Sequence, residues 1–415
     1  MKLLLPFLAL VSLAAPLQAS PGDDEFQKMA GDYIESSLRT HPEDATQLGD
    51  HRFDTQLTDW SADARAKELE EQKTFLAKLS SFDSAKLTGA NNVDFRMLKE
   101  NVEGRIFELE ELREAEWNPL AYNQSLANSL YLLVAREFAP PSQKIPGLRA
   151  RMEGIPKVIE AAKANLQHSP QIYTETAIEQ TKGAIGLVRE GLADVLDRVP
   201  EAKKELGPLQ EQTAAALEEY KTWLHDDLLP RSDGDFRIGA EKFRKKLHFS
   251  LASDLSMEEI MRRARADLAA TQTAIYETAL PLYKKYYPNA DKTSLGDKKA
   301  VTTAVLDKLA EQHPTDDTIV ATAEKVLTEA TNFTRTKNLV TVYDEPLKIV
   351  VMPEFKRGQG IAYCDSPGAL EKNGETFFAI EPTPSDWTQA RKDSFFAEYN
   401  NYMVRDLTVH EAMPG

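Results

Sequence analysis

A mainly α-helical fold follows from three observations: an antiparallel bundle, a small antiparallel β-sheet near the C-terminus, and one last helix after the sheet. From Asp24 to about Asn338 apolar residues recur at steps of three and four, punctuated mostly by prolines. Between residues 339 and about 381 the pattern changes to short β-branched and aromatic runs separated by Gly and Pro. Beyond Ser385 helical spacing returns, with Phe396, Tyr399, Met403, Leu407 and His410 at steps of three, four, four and three. That spacing predicts His410 on the buried stripe of the last helix.

The chain opens Met1-Lys2, runs apolar from Leu3 to Leu17, and reaches Gln18-Ala19-Ser20. A charged start, an apolar run too short to span a bilayer and small residues behind it predict a signal peptide over 1–19. No cysteine stands at the cleavage point, so lipid anchoring is not indicated, and no later apolar run is long enough to cross a membrane. The expected product is soluble, periplasmic or secreted, with no membrane contact after cleavage. It comprises a helical region over 20–338 and a sheet-plus-helix region over 339–415.

Within the helical region His41-Pro42 opens a short segment that ends at Leu48-Gly49. Ser61 is a helix N-cap for the charged stretch through Leu79. Residues 91–113 predict a long amphipathic helix with Phe95, Leu98, Val102, Ile106, Leu109 and Leu112 on one face. The apolar run 126–138 is placed deep in the bundle and ends at Pro140-Pro141. Helices are expected over 145–166, 174–199 (stopped by Pro200), 209–229, from a capping box at Ser256 to about Tyr286, around 297–312 and over 316–336. Strands are expected at 339–343, 347–352, 361–364 and 376–380.

The formal net charge is -16, and losing the leader removes Lys2 alone and gives -17. Such an acidic surface makes nucleic acid and anionic membranes poor partners. One cysteine, Cys364, excludes an internal disulfide framework. A chain of this length buries a sizeable core without staples.

The chemistry concentrates at His410-Glu411. In zinc hydrolases a histidine holds the metal and the adjacent carboxylate takes a proton from metal-bound water. Neighbouring helical residues point about 100° apart, so one can ligate while the next faces substrate. Pro414 stands where H-E-x-x-H carries its second histidine, and proline cannot ligate. A histidine on an apolar face is also more often a satisfied core residue, so from the residues alone a metal site and a structural His-Glu pair both stand. Tyr363 and Tyr399 are candidate donors to a tetrahedral oxyanion, against simple aromatic packing. Cys364 reads as strand interior more readily than as a nucleophile paired with His410. Asp226-Asp227 and Glu110-Glu111 read as solvated helix faces, and Gly358-Gln359-Gly360 lacks the strand-to-helix setting of a phosphate loop.

Three stretches carry a family likeness: Ala45-Thr46-Gln47-Leu48-Gly49-Asp50-His51, residues 151–166 followed by 173–178, and the terminal His410-Glu411-Ala412-Met413-Pro414-Gly415. On these the chain resembles the bacterial Domain of Unknown Function 885 family, predicted zinc metallopeptidases of gluzincin type. The resemblance implies one zinc ion ligated by His410, Glu411 as general base and a peptide substrate. It places a further histidine ligand directly after Gly415 and an acidic one beyond, so the chain reads as a portion of a longer protein, inactive by itself. The other class of function is a non-catalytic exported helical protein that binds peptides or serves as a scaffold.

Overall fold

The computed structural model describes residues 21–291, 295–343, 347–352, 361–371, 374–381, 383 and 387–414. The expected leader, residues 358–360 and the position of Gly415 lie outside them. Among the described residues no helix is long and apolar enough to cross a membrane.

The first layer comprises α1 (Pro21–Thr40), α2 (Pro42–Leu48), α3 (Ala62–Ser81) and α4 (Gly89–Phe107). Phe26, Leu79, Phe95 and Val102 close its core. Pro42 opens α2 at a position where a missing N–H costs nothing, and Gly49 ends it with φ +91°. The Ser61 side chain accepts from Ala64 N, as its N-cap role requires. A π-helical turn, Glu108–Leu112, extends α4, and Arg113 stops it in the left-handed region. The predicted stripe therefore holds, with Phe95, Val102 and Leu112 buried.

The main core lies among α5 (Pro119–Val134), α6 (Pro141–Asn165), α7 (Gln171–Gly186), α8 (Ala193–Leu196) and α9 (Pro200–Trp223). Leu130, Leu148, Ile155, Leu206 and Leu217 are almost wholly enclosed there. Pro141 and Pro200, read in the sequence as terminators, are instead the first residues of α6 and α9. Pro146 and Pro156 remain inside α6, where the buried face from Ile145 to Ile159 outweighs the bonds they forgo. The expected helix over 174–199 is broken by a π turn at Leu187–Gly191, and α10 (Ala240–Leu251) had no counterpart in the sequence reading. Ser256 caps α11 (Met257–Tyr286), which pairs with α12 (Lys298–Ala310) ahead of α13 (Ile319–Lys337).

The sheet has three strands, β1 (Leu347–Val351), β2 (Ala362–Asp365) and β3 (Thr376–Ile380), in the order β1-β3-β2. It is mixed rather than antiparallel: β2 runs against β3, while β1 is parallel to it. The most buried strand takes the centre, with Phe378, Ala379 and Ile380 enclosed, and this separates β1 from the strand that follows it in the chain. Leu339–Tyr343 is not a strand. Asn338 caps α13 in the left-handed region, Leu339 N returns to Thr334 O at 3.1 Å, and among the described residues no strand pairs with the mostly exposed run. One face of the sheet packs with Ile319 and Ala323 of α13 and with Phe396, Val404 and Ala412.

The β2–β3 loop docks on the end of α2. Leu370 N donates to Leu48 O at 2.8 Å, and a Cβ on Gly368 would strike the backbone of Gln47 and Leu48. A Cβ on Gly49 would in turn lie 2.7 Å from Glu371 N.

Glu68 of α3 is buried, bonded by His41 Nε2 at 3.1 Å and by Arg105 Nε and Nη2 at 2.7 and 3.1 Å. Burial alone would raise its pKa, but His41 and Arg105 overcome it and hold the carboxyl at about 2 against an ordinary 4.5. A depressed acid stabilises the fold above its unfolded value and loses that contribution as pH falls through the folded one. The contribution is about 3 kcal/mol at neutral pH and drains away between about pH 4.5 and pH 2. Urea unfolding of wild type and Glu68→Gln should therefore differ by about that amount at pH 6, and the gap should close only as pH falls to about 2. A gap independent of pH would assign the effect to packing.

Candidate active site

The last helical segment is two helices. α14 (Gln389–Glu398) ends at Tyr399, and α15 (Asn401–Glu411) starts afresh with the Asn400 side chain accepting from Tyr402 N and Met403 N at 3.0 and 3.3 Å. The break resets the helical phase. Val404, Thr408 and Ala412 now face the core, and His410 is exposed instead of lying on the buried stripe.

Glu411, half-buried beside it, reaches the sheet. Its Oε2 accepts from Cys364 N at 3.0 Å. Because Glu381 N donates to Ile361 O, alternation turns the amides of Ala362 and Cys364 away from β3, toward the edge of β2 that has no strand beside it among the described residues. The motif carboxylate thus sits on an edge amide, the group that an added extended chain would use. The Cys364 thiol has no contact with His410; its Sγ lies 3.5 Å from Ser366 Oγ.

On the opposite face Tyr363 and Asp365 look toward the bundle. They line a cavity of about 530 Å³ with Tyr131, Leu187, Val350 and Phe377. Burial pushes the Tyr131 phenol far above its usual range, and Tyr363 and Asp365 push it further; the two phenols share a hydrogen bond. Burial also raises Tyr363, against the lowering effect of that bond. Arg136, at the end of α5, binds Asp365 and donates to Glu375 O and Ser366 O at 2.6 and 2.7 Å. Its guanidinium stands 5.3 Å from the centre of the Phe377 ring. Sequence reasoning missed Tyr131 and Arg136, whose only signal was polarity at the apolar end of α5.

Tyr399 is on the other side of the sheet, in a narrow crevice with Ala362 and Phe378, its ring 4.8 Å from that of Phe395. The structure therefore joins Glu411 to the β2 edge and Tyr363 to the cavity but does not bring Tyr399 to the same place. Glu110, Glu111 and Asp227 pair with Lys73, Lys245 and Arg231 at the surface, as solvated faces do. Among the described residues no three His, Cys, Asp or Glu side chains come together as a metal-binding group. His410 and Glu411 are a fitting start for such a site but not a complete ligand set.

Fold and site together define a helical-bundle protein in which a His-Glu helix abuts the β2 side of a small mixed sheet. The chain belongs to the family described as bacterial protein of unknown function (DUF885), whose model matches residues 42–415. It is similar to a solved structure from Shewanella oneidensis, described as a candidate lipoprotein of unknown function. The two share 25% identity and a TM-score of 0.70 over 94% of this chain and 70% of that one. A candidate lipoprotein from Colwellia psychrerythraea, 14% identical, has a TM-score of 0.61 over 95% and 71% of the two chains and shows the fold alone. No curated protein matches.

Proposed function

We propose that this chain belongs to an exported zinc-dependent, peptidase-like hydrolase, with His410 a zinc ligand and Glu411 the general base for water attack on a peptide bond. The observation that supports this is the contact of Glu411 with the Cys364 amide on the free edge of β2. An open edge can hold an extended peptide by main-chain hydrogen bonds, and here it lies one residue from an exposed imidazole. Zinc, when bound, supplies a polarised water. Glu411 keeps Oε2 on the Cys364 amide and leaves Oε1 to accept a proton. The reading gives Tyr363 the substrate-side role beside the cavity; Tyr399 would act only through the crevice on the far face. The remaining ligands come from outside the described residues. The relatives described as lipoproteins support an envelope location, although the single cysteine here is Cys364, inside β2.

The same contact favours a second reading. Glu411 ties α15 to β2, and the pair is then structural in a peptide-binding or scaffold protein. Elemental analysis of the full-length protein tests the first reading, with about one zinc per chain expected and most of it lost in His410→Ala. Equal metal content in both would remove His410 as a ligand.

A further inference from the structure

Away from the sheet, the first five helices surround a second cavity of about 420 Å³ lined mostly by polar residues, with Tyr33, Trp60 and Ala121 among them. Several helices send in a pair of polar side chains one turn apart: Glu43 and Gln47 from α2, Asn101 and Arg105 from α4, Gln124 and Asn128 from α5. On α5 this is a polar stripe along a helix whose opposite face, Leu126, Leu130 and Leu133, is buried in the main core. Among the described residues the carboxamides of Gln47, Asn101, Gln124 and Asn128 make no hydrogen bond of their own. Trp60 adds an aromatic wall, held by its Nε1 donating to Ser125 Oγ at 3.2 Å and by its ring 4.7 Å from that of Tyr122.

The charges do not balance. Four carboxylates line the cavity, from Glu43, Asp44, Glu68 and Glu108, and Arg105 is the one permanently charged cation among the lining residues. Arg105 is committed to Glu68 and Glu108. Glu43 is buried at 6% exposure, yet its oxygens accept only from Thr58 N at 3.1 Å, Thr58 Oγ1 at 2.6 Å and Ser125 Oγ at 2.8 Å. Among the described residues no cation stands within ion-pair distance of Glu43, and its electrostatic partner Arg151 is sealed in the protein behind it. Asp44 reaches solvent, but the cavity walls withdraw enough water to push its carboxyl up, against the pull of His41. Glu43 thus meets only hydroxyl and amide donors on the cavity side and has the Arg151 charge from behind, so a ligand cation in the cavity would bring the nearer countercharge.

We propose that this cavity binds a small organic cation, a primary amine carried on a frame rich in hydroxyl or amide groups. The ammonium meets Glu43 and Asp44 near the Trp60 face, and the frame bonds to the four carboxamides. This inference is independent of the peptidase reading.

Calorimetric titration of the chain tests it with two probes, the glucosamine disaccharide and the dipeptide lysyl-asparagine, each also in a form acetylated on its amines. One cationic probe is expected to bind with a Kd below about 1 mM, and which one binds distinguishes a sugar from a peptide source. Acetylation should weaken that binding at least about tenfold. Asp44→Asn, on the exposed side of α2, keeps the fold and should weaken it by a similar factor, as should Gln124→Leu. No binding of either probe at about 10 mM would overturn the proposal. So would an acetylated probe binding as well as its parent, or an Asp44→Asn variant of unchanged affinity.

Discussion

Under the proposed general-base role, replacing Glu411 by Gln in the full-length protein should leave zinc content and melting temperature near wild type while peptide hydrolysis falls by a factor of about a hundred or more. The amide oxygen of Gln can still accept the Cys364 N–H that Glu411 Oε2 accepts at 3.0 Å, so α15 stays on the edge of β2. What disappears is the proton acceptor. Glu411→Ala is the companion variant, because it removes the acceptor for that amide as well and should cost about 1 kcal/mol of stability. A mixed peptide library read by mass spectrometry suits an unknown substrate. Equal cleavage by wild type and Glu411→Gln would end the general-base assignment. Zinc retained in both without any cleavage would favour the binding or scaffold reading.

The largest effect on stability is expected at Arg151, which has no exposed surface. Its Nη1 donates to Ser129 O at 2.8 Å and its Nη2 to Thr46 Oγ1 at 2.5 Å, with Pro42 O at 3.4 Å and Asp54 Oδ1 at 3.7 Å. One guanidinium thereby joins α6 to α2, to α5 and to the short segment after α2. Arg151→Leu takes one donor from each of Ser129 O, Thr46 Oγ1 and Pro42 O and leaves Asp54 to His51 and Thr46, so a loss of about 3–5 kcal/mol is expected in denaturant unfolding. Arg151→Leu combined with Asp54→Asn should recover part of it, because the second change removes the stranded charge. A single variant within about 1 kcal/mol of wild type would show that the site relaxes around the missing cation.

What was legible in the sequence is what neighbouring residues decide among themselves. Ser61 and Ser256 cap helices, and the stripe from Phe95 to Leu112 faces inward, because each depends on side chains within two turns. His410 was misplaced because the spacing was carried straight through Asn400, whose side chain in fact caps a new helix. The Asn400-Asn401 pair was the available signal. Prolines marked boundaries correctly but not their sense, since Pro141 and Pro200 begin helices. The strand order was not readable, since no short strand states which neighbour it takes. Nor was the polar cavity, because each contributing pair, such as Gln124 and Asn128, looks like an ordinary solvated face until five helices are set around it.

The contact between the β2–β3 loop and the end of α2 bears on how relatives of this chain can vary. Surface loops usually accept insertions and exchanges freely. Here Gly49 and Gly368 each leave no room for a side chain, because the backbone of the other segment fills that space. A change of length between Pro367 and Leu370 would break the Leu370–Leu48 bond unless the turn after α2 changed with it. Across an alignment, then, these two segments, distant in sequence, should covary in length and keep their glycines together, with the loop as constrained as the core.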